Sequence, residues 1–123
     1  MRCLGVRGAT TVAANSRDAI LEATSELLSE VVAANGISMD DVASIVFTAT
    51  VDLDAVYPAV AARGLGWTET PLLCMQEMQA EGSLRQCIRV LFHWNTELVP
   101  SEVRHIYLKG ARELRPDLVE EGR

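Results

Sequence analysis

The sequence predicts an α+β domain: a mixed sheet of about five strands with one long and one short helix. Three observations carry that prediction. A stripe of apolar residues at helical spacing runs from Arg17 to Asn35, the one long helical pattern in the 123 residues. Short runs rich in β-branched and aromatic residues flank it, each bounded by Gly, Pro or polar clusters. Finally, a single long helix covers only one face of such a sheet. The apolar density of the strands then calls for cover from neighbouring subunits, so a homo-oligomer is expected.

Each element follows from its residues. Arg2 to Arg7 reads as a short strand ended by Gly8, and either Asn15 or Ser16 can cap the helix that follows. Within that helix Ile20, Ala23, Leu27, Leu28, Val31 and Val32 form the stripe, and Gly36 falls at the C-terminal cap. Glu22, Glu26 and Glu30 lie on the other face at i,i+4 spacing and read as a solvated surface. Ser38 to Asp41 resembles a capping segment for one helical turn. ASIVFTAT, Ala43 to Thr50, reads as a buried strand. Pro58 suits the first turn of a short helix ending near Gly64.

PLLCM is the third strand, and QAEGSLRQ is a glycine-containing loop. CIRVLFHW is the fourth, with Ile88, Val90, Phe92 and Trp94 on one face and Arg89, Leu91 and His93 on the other. A loop through Pro100 and a turn at Ser101 to Val103 precede RHIYLKG, the fifth strand. The tail ARELRPDLVEEGR turns polar and is expected to fray past about Asp117. One domain spans residues 1–123.

Composition narrows the function. The chain is 49% hydrophobic and 23% charged, a globular balance, and its apolar runs fall short of a membrane span of ~20 residues. Arg7 interrupts the only apolar run near the N-terminus, so no signal peptide is expected and a cytoplasmic location is. A net charge of -6 opposes nucleic-acid binding, which needs a basic face. Of the 11 basic residues only Lys109 is lysine, and arginine is the preferred fork for carboxylate or phosphate. Three cysteines without a C-x-x-C pair, and two scattered histidines, His93 and His105, give neither a zinc signature nor an expected disulfide.

Two arginines interrupt apolar strands, Arg7 in LGVRGA and Arg89 in CIRVLF. A strand arginine at a sheet edge ordinarily snorkels to water. Two of them, with Glu77 following another apolar strand, point instead to a cationic pocket in which the charges are paired. Neither histidine is placed beside Cys74 as a base, and no GxGxxG, Walker or paired-carboxylate pattern is present. A donor-rich anion pocket lacking an obvious nucleophile suits a reaction driven by positioning and electrostatics.

VRGATTV, ATVDLDAVYPAVAAR, CMQEM, CIRV, RHIYLKGA and LRPDL, in this order from Gly5 to Leu118, resemble the AroH-type chorismate mutases. The resemblance implies a homotrimer of pseudo-α/β-barrel form with active sites at subunit interfaces. It also implies conversion of chorismate to prephenate without a cofactor or metal. By the same resemblance Arg7 binds a substrate carboxylate near the ether oxygen, and Arg89 donates to that oxygen as the C–O bond breaks. Glu77 and Cys74 contact the ring hydroxyl, and Tyr107 hydrogen-bonds a carboxylate. Tyr57 and Ala59 line the pocket, Arg63 sits at its mouth, and Leu114 and Arg115 close it from the tail. Tyr57 departs from the phenylalanine common in relatives, and Val60 from the lysine of some. Neither departure touches the charged set.

Two other readings remain at this stage. One is a trimeric deaminase of reactive enamines and imines, similar in fold, which must activate water. The other is a trimeric sensor that binds an aromatic carboxylate without turning it over. The residues also pose a geometric problem. In a regular strand Cys74 and Glu77 face opposite sides, so the strand must break or turn around Gln76 for both to meet one substrate.

Overall fold

The computed structural model describes residues 1–114, so Arg115 and the expected fraying past Asp117 lie outside the described residues. Five strands form one mixed sheet in the order β3-β2-β4-β1-β5. They are β1 (Arg2–Thr11), β2 (Val42–Ala49), β3 (Leu72–Gln76), β4 (Cys87–Thr96) and β5 (Ile106–Tyr107). β4 is antiparallel to both β1 and β2, whereas β3 runs parallel to β2 and β5 parallel to β1. The long helix α1 (Arg17–Asn35) and the short helix α2 (Ala59–Gly64) carry the chain between strands, and both pack on the same side.

α1 has the bounds its apolar stripe predicts. Ser16 rather than Asn15 is the cap: its side chain accepts the Ala19 N–H at 3.2 Å. Gly36 closes the helix in the left-handed conformation, φ 67°, and its N–H reaches the Val32 carbonyl. Asn15 has a different task. Its amide donates to Asp54 at 2.7 Å and accepts the N–H groups of Asp54 and Ala55, pinning the loop that leads to Tyr57.

Two strand ends differ from the sequence reading. β1 does not stop at Gly8 but runs on to Thr11. A Cβ at Gly8 would come within 3.0 Å of Val31 and 3.1 Å of Leu27 and Val90, so this glycine marks a close approach of α1 to the sheet. β5 is only Ile106–Tyr107, much shorter than RHIYLKG. The chain leaves the sheet because Lys109 adopts φ 51° and Gly110 packs on Thr11, whose hydroxyl accepts the Gly110 N–H at 3.1 Å. A 3₁₀ segment, Lys109–Leu114, follows.

The core lies between the sheet and the helices. Val6, Leu27, Leu28, Val31, Ile45, Phe47 and Phe92 are fully buried there, and Trp67 meets Phe92 edge-on with ring centroids 5.7 Å apart. The alternation read from β4 holds along the strand: Ile88, Val90, Phe92 and Trp94 are buried, while Arg89, Leu91 and His93 are partly covered. Among the described residues no α-helix covers that second face, and its β3 residues Leu73 and Met75 are 56% and 48% exposed.

Candidate active site

The sheet brings the predicted residues into two groups on opposite faces. The first group lies on the helix-free face. Arg7, Glu77, Arg89 and Tyr107 line one cavity of about 240 Å³ together with Thr48, Val46 and Leu91. Antiparallel pairing puts Arg89 across from Ala9, two residues past Arg7 in β1, and across from Thr48 in β2. Parallel pairing of Ala9 with Tyr107 adds the phenol from β5.

Glu77 follows the last residue of β3, yet its N–H still donates to the Ala49 carbonyl at 2.8 Å, so its backbone stays tied to the sheet. Its carboxylate accepts a short hydrogen bond from the Thr48 hydroxyl at Oε2. The same oxygen lies 3.6 Å from Arg89 Nε, close enough for charge attraction but too far for a hydrogen bond. That nitrogen is buried and has no hydrogen-bond partner among the described residues. The Arg89 side chain is 41% exposed overall, but a buried N–H with no acceptor is costly unless a ligand accepts from it.

The start of β4, on which Arg89 sits, is held by a network that sequence reasoning missed. Both Asp52 oxygens accept the N–H of Gln86, at 3.2 and 3.1 Å, where the backbone is left-handed with φ 48°. Thr50 donates to Asp52 at 2.5 Å and accepts the Cys87 N–H at 3.0 Å. Cys87 is fully buried with Ala9, Tyr107 and Ala111, and Leu84 and Leu114 pack against this small cluster. Leu114 thus packs beside Tyr107, which lines the cavity, and Cys87 is a packing residue. Burial pushes its thiol up, against the opposing pull of Arg89's charge.

The second group lies toward the helices. Cys74 pairs with Phe47 across β3 and β2 and packs on the main core. Burial raises its thiol above the ordinary value, opposed by the Ala59 backbone N–H and by the Arg63 charge. A cavity of about 600 Å³ beside it is lined by Tyr57, Val60, Arg17 and residues of the 49–56 segment. Ala59 is buried at the first position of α2, whereas Arg63 and Tyr57 are exposed. The sequence marks Arg17 only as the first residue of α1, and nothing in its local pattern assigns it to the site.

Within one chain these two groups do not meet. β3 does end at Gln76, but Glu77 still turns to the face opposite Cys74. The two groups lie on opposite faces of the sheet, each lining its own cavity.

A guanidinium with an unpaired Nε–H, a second arginine, a phenol and an oriented carboxylate can bind a small dianion with a hydroxyl group, without any nucleophile. The comparisons agree with that chemistry. The family model for chorismate mutase type I matches residues 3–118. The chain is similar to "Chorismate mutase AroH" of Thermus thermophilus, 48% identical over 115 residues, 93% of this chain and 94% of the relative. It is 43% identical over 119 residues to "Chorismate mutase AroH" of Bacillus subtilis (strain 168), covering 96% and 94%. A solved chorismate mutase from Clostridium thermocellum superposes with a TM-score of 0.88 at 49% identity, over 89% of this chain and 98% of that one. With a family model spanning nearly its full length, the chain belongs to the chorismate mutase type I family.

Proposed function

We propose a mechanism for the conversion of chorismate to prephenate, the activity that family membership gives this chain within aromatic amino-acid biosynthesis. The observation that carries it is the Arg89 Nε–H, buried and unpaired 3.6 Å from Glu77. The rearrangement is pericyclic: the ether C–O bond breaks while a C–C bond forms, and no proton is transferred. Negative charge gathers on the ether oxygen in the transition state. A fixed donor there stabilises the transition state more than the ground state, which is the condition for raising the rate. Arg89 is that donor.

The remaining groups hold the dianion in its compact, pseudo-diaxial conformer. Arg7 and Tyr107 take carboxylates, while Glu77 and Cys74 take the ring hydroxyl. Tyr57 and Ala59 line the pocket, Arg63 stands at its mouth, and Leu114 closes it. An acceleration of about a millionfold corresponds to roughly 8 kcal/mol. One preorganised charged donor supplies about 3–4 kcal/mol of this, and conformer selection much of the rest.

Cys74 and Glu77 point to opposite faces, so one substrate reaches both only where two copies meet. The helix-free face with exposed Leu73 and Met75 supports such an association, and we read the working form as a cytoplasmic homotrimer with interfacial sites. No helix among the described residues is long and apolar enough to cross a membrane.

The test is to follow loss of chorismate absorbance with purified protein and identify the product. Prephenate should form at a rate unchanged by chelator and nearly flat around neutral pH, from a particle three times the 13.4 kDa chain mass. A titrating group in the rate profile, or no loss of chorismate, would count against the mechanism.

A further inference from the structure

Thr48 has no place in the substrate contacts described above, yet it sits at their centre. It faces Arg89 directly across the β2–β4 ladder and Met75 across β2–β3. Its hydroxyl has one proton to give, and gives it to Glu77 Oε2, the oxygen that also faces Arg89 Nε.

The consequence concerns Arg89. A carboxylate beside a guanidinium ordinarily closes to a two-point fork with N–O distances of about 2.7–2.9 Å. Here Glu77 is tethered at its backbone by Ala49 and at Oε2 by Thr48, and the Arg89 contact stays open at 3.6 Å. We infer that Thr48 is a positioning residue that keeps Glu77 from capturing Arg89, leaving the Nε–H free for the bond that breaks and Glu77 Oε1 free for substrate. The inference rests on the mechanism proposed above, in which Arg89 and Glu77 both meet the substrate. With the hydroxyl gone, Glu77 swings onto Arg89, and a paired arginine stabilises the developing charge less.

The experiment is a double-mutant cycle with steady-state kinetics. Thr48→Val removes the hydroxyl at nearly constant shape, and Thr48→Ser keeps it. Thr48→Val should lower kcat about ten- to a hundredfold, the scale of one hydrogen bond to a charged group, with a smaller change in KM. Thr48→Ser should restore kcat to within a few-fold of the parent. In a Glu77→Ala background Thr48→Val should cost little more. An unchanged kcat in Thr48→Val would overturn the role, as would failure of Thr48→Ser to restore it. An equal loss with and without Glu77 would overturn it too, since the hydroxyl would then act through packing. Glu77→Ala with full activity would instead overturn the mechanism beneath the inference, and that single variant separates the two failures.

Discussion

Cys74 and Glu77 are three residues apart and serve opposite faces of the sheet: Cys74 packs on the helix-side core, and Glu77 meets Thr48 and Arg89 on the other face. If one substrate touches both groups, two copies of the chain must supply them. Two inactive variants with complementary defects should therefore rescue each other. Arg89→Ala damages the first group, and Tyr57→Ala combined with Arg63→Ala damages the exposed part of the second. Unfolding and refolding the two together should leave about one interfacial site in four intact in randomly mixed oligomers. Recovery of activity above both parents is the expected result. No recovery would mean that one chain supplies a whole site.

In the proposed mechanism the thiol of Cys74 contributes contact and polarity rather than bond-making. Burial favours its neutral form by raising its pKa. Cys74→Ser should keep activity within about tenfold of the parent, because a hydroxyl replaces one weak polar contact. Iodoacetamide should modify exposed Cys3 before Cys74 and Cys87. Complete loss of turnover in Cys74→Ser would make the cysteine a nucleophile after all.

Cys87 links burial to pH. Its folded-state pKa lies above the ordinary 9.0 because the side chain is desolvated. A group raised in this way contributes stability that is full below the unfolded pKa and is lost as pH rises through the folded one. Urea unfolding from about pH 8 to pH 11 should show stability falling above pH 9.0, and Cys87→Ala should fall less steeply over the same range. Parallel curves for the two proteins would show that the thiol does not titrate with unfolding.

Much of this architecture is legible in local pattern. α1 has the bounds its stripe predicts, since its cap, period and terminal glycine all agree. β4 alternates as read, because one face is buried and the other is not. Gly8 misleads, as a glycine within a strand can mean an end or a close approach, and only the packing of Leu27 and Val31 decides which. β5 is overestimated because the turn at Lys109 depends on Thr11, nearly a hundred residues away in sequence. At the site, Arg7, Arg89 and Glu77 stand out as charges among apolar neighbours. Thr48 and Asp52 do not. Their importance comes from hydrogen bonds to Glu77 and Gln86 across the sheet, and a threonine in a strand is otherwise ordinary.

Arg89→Ala tests the central claim most directly, measured as kcat for conversion of chorismate to prephenate with the oligomeric state checked alongside. Removing the Nε donor should lower kcat by at least about 10²–10³-fold while the oligomeric state stays that of the parent. Turnover close to that of the parent, in a protein of unchanged oligomeric state, would contradict the account.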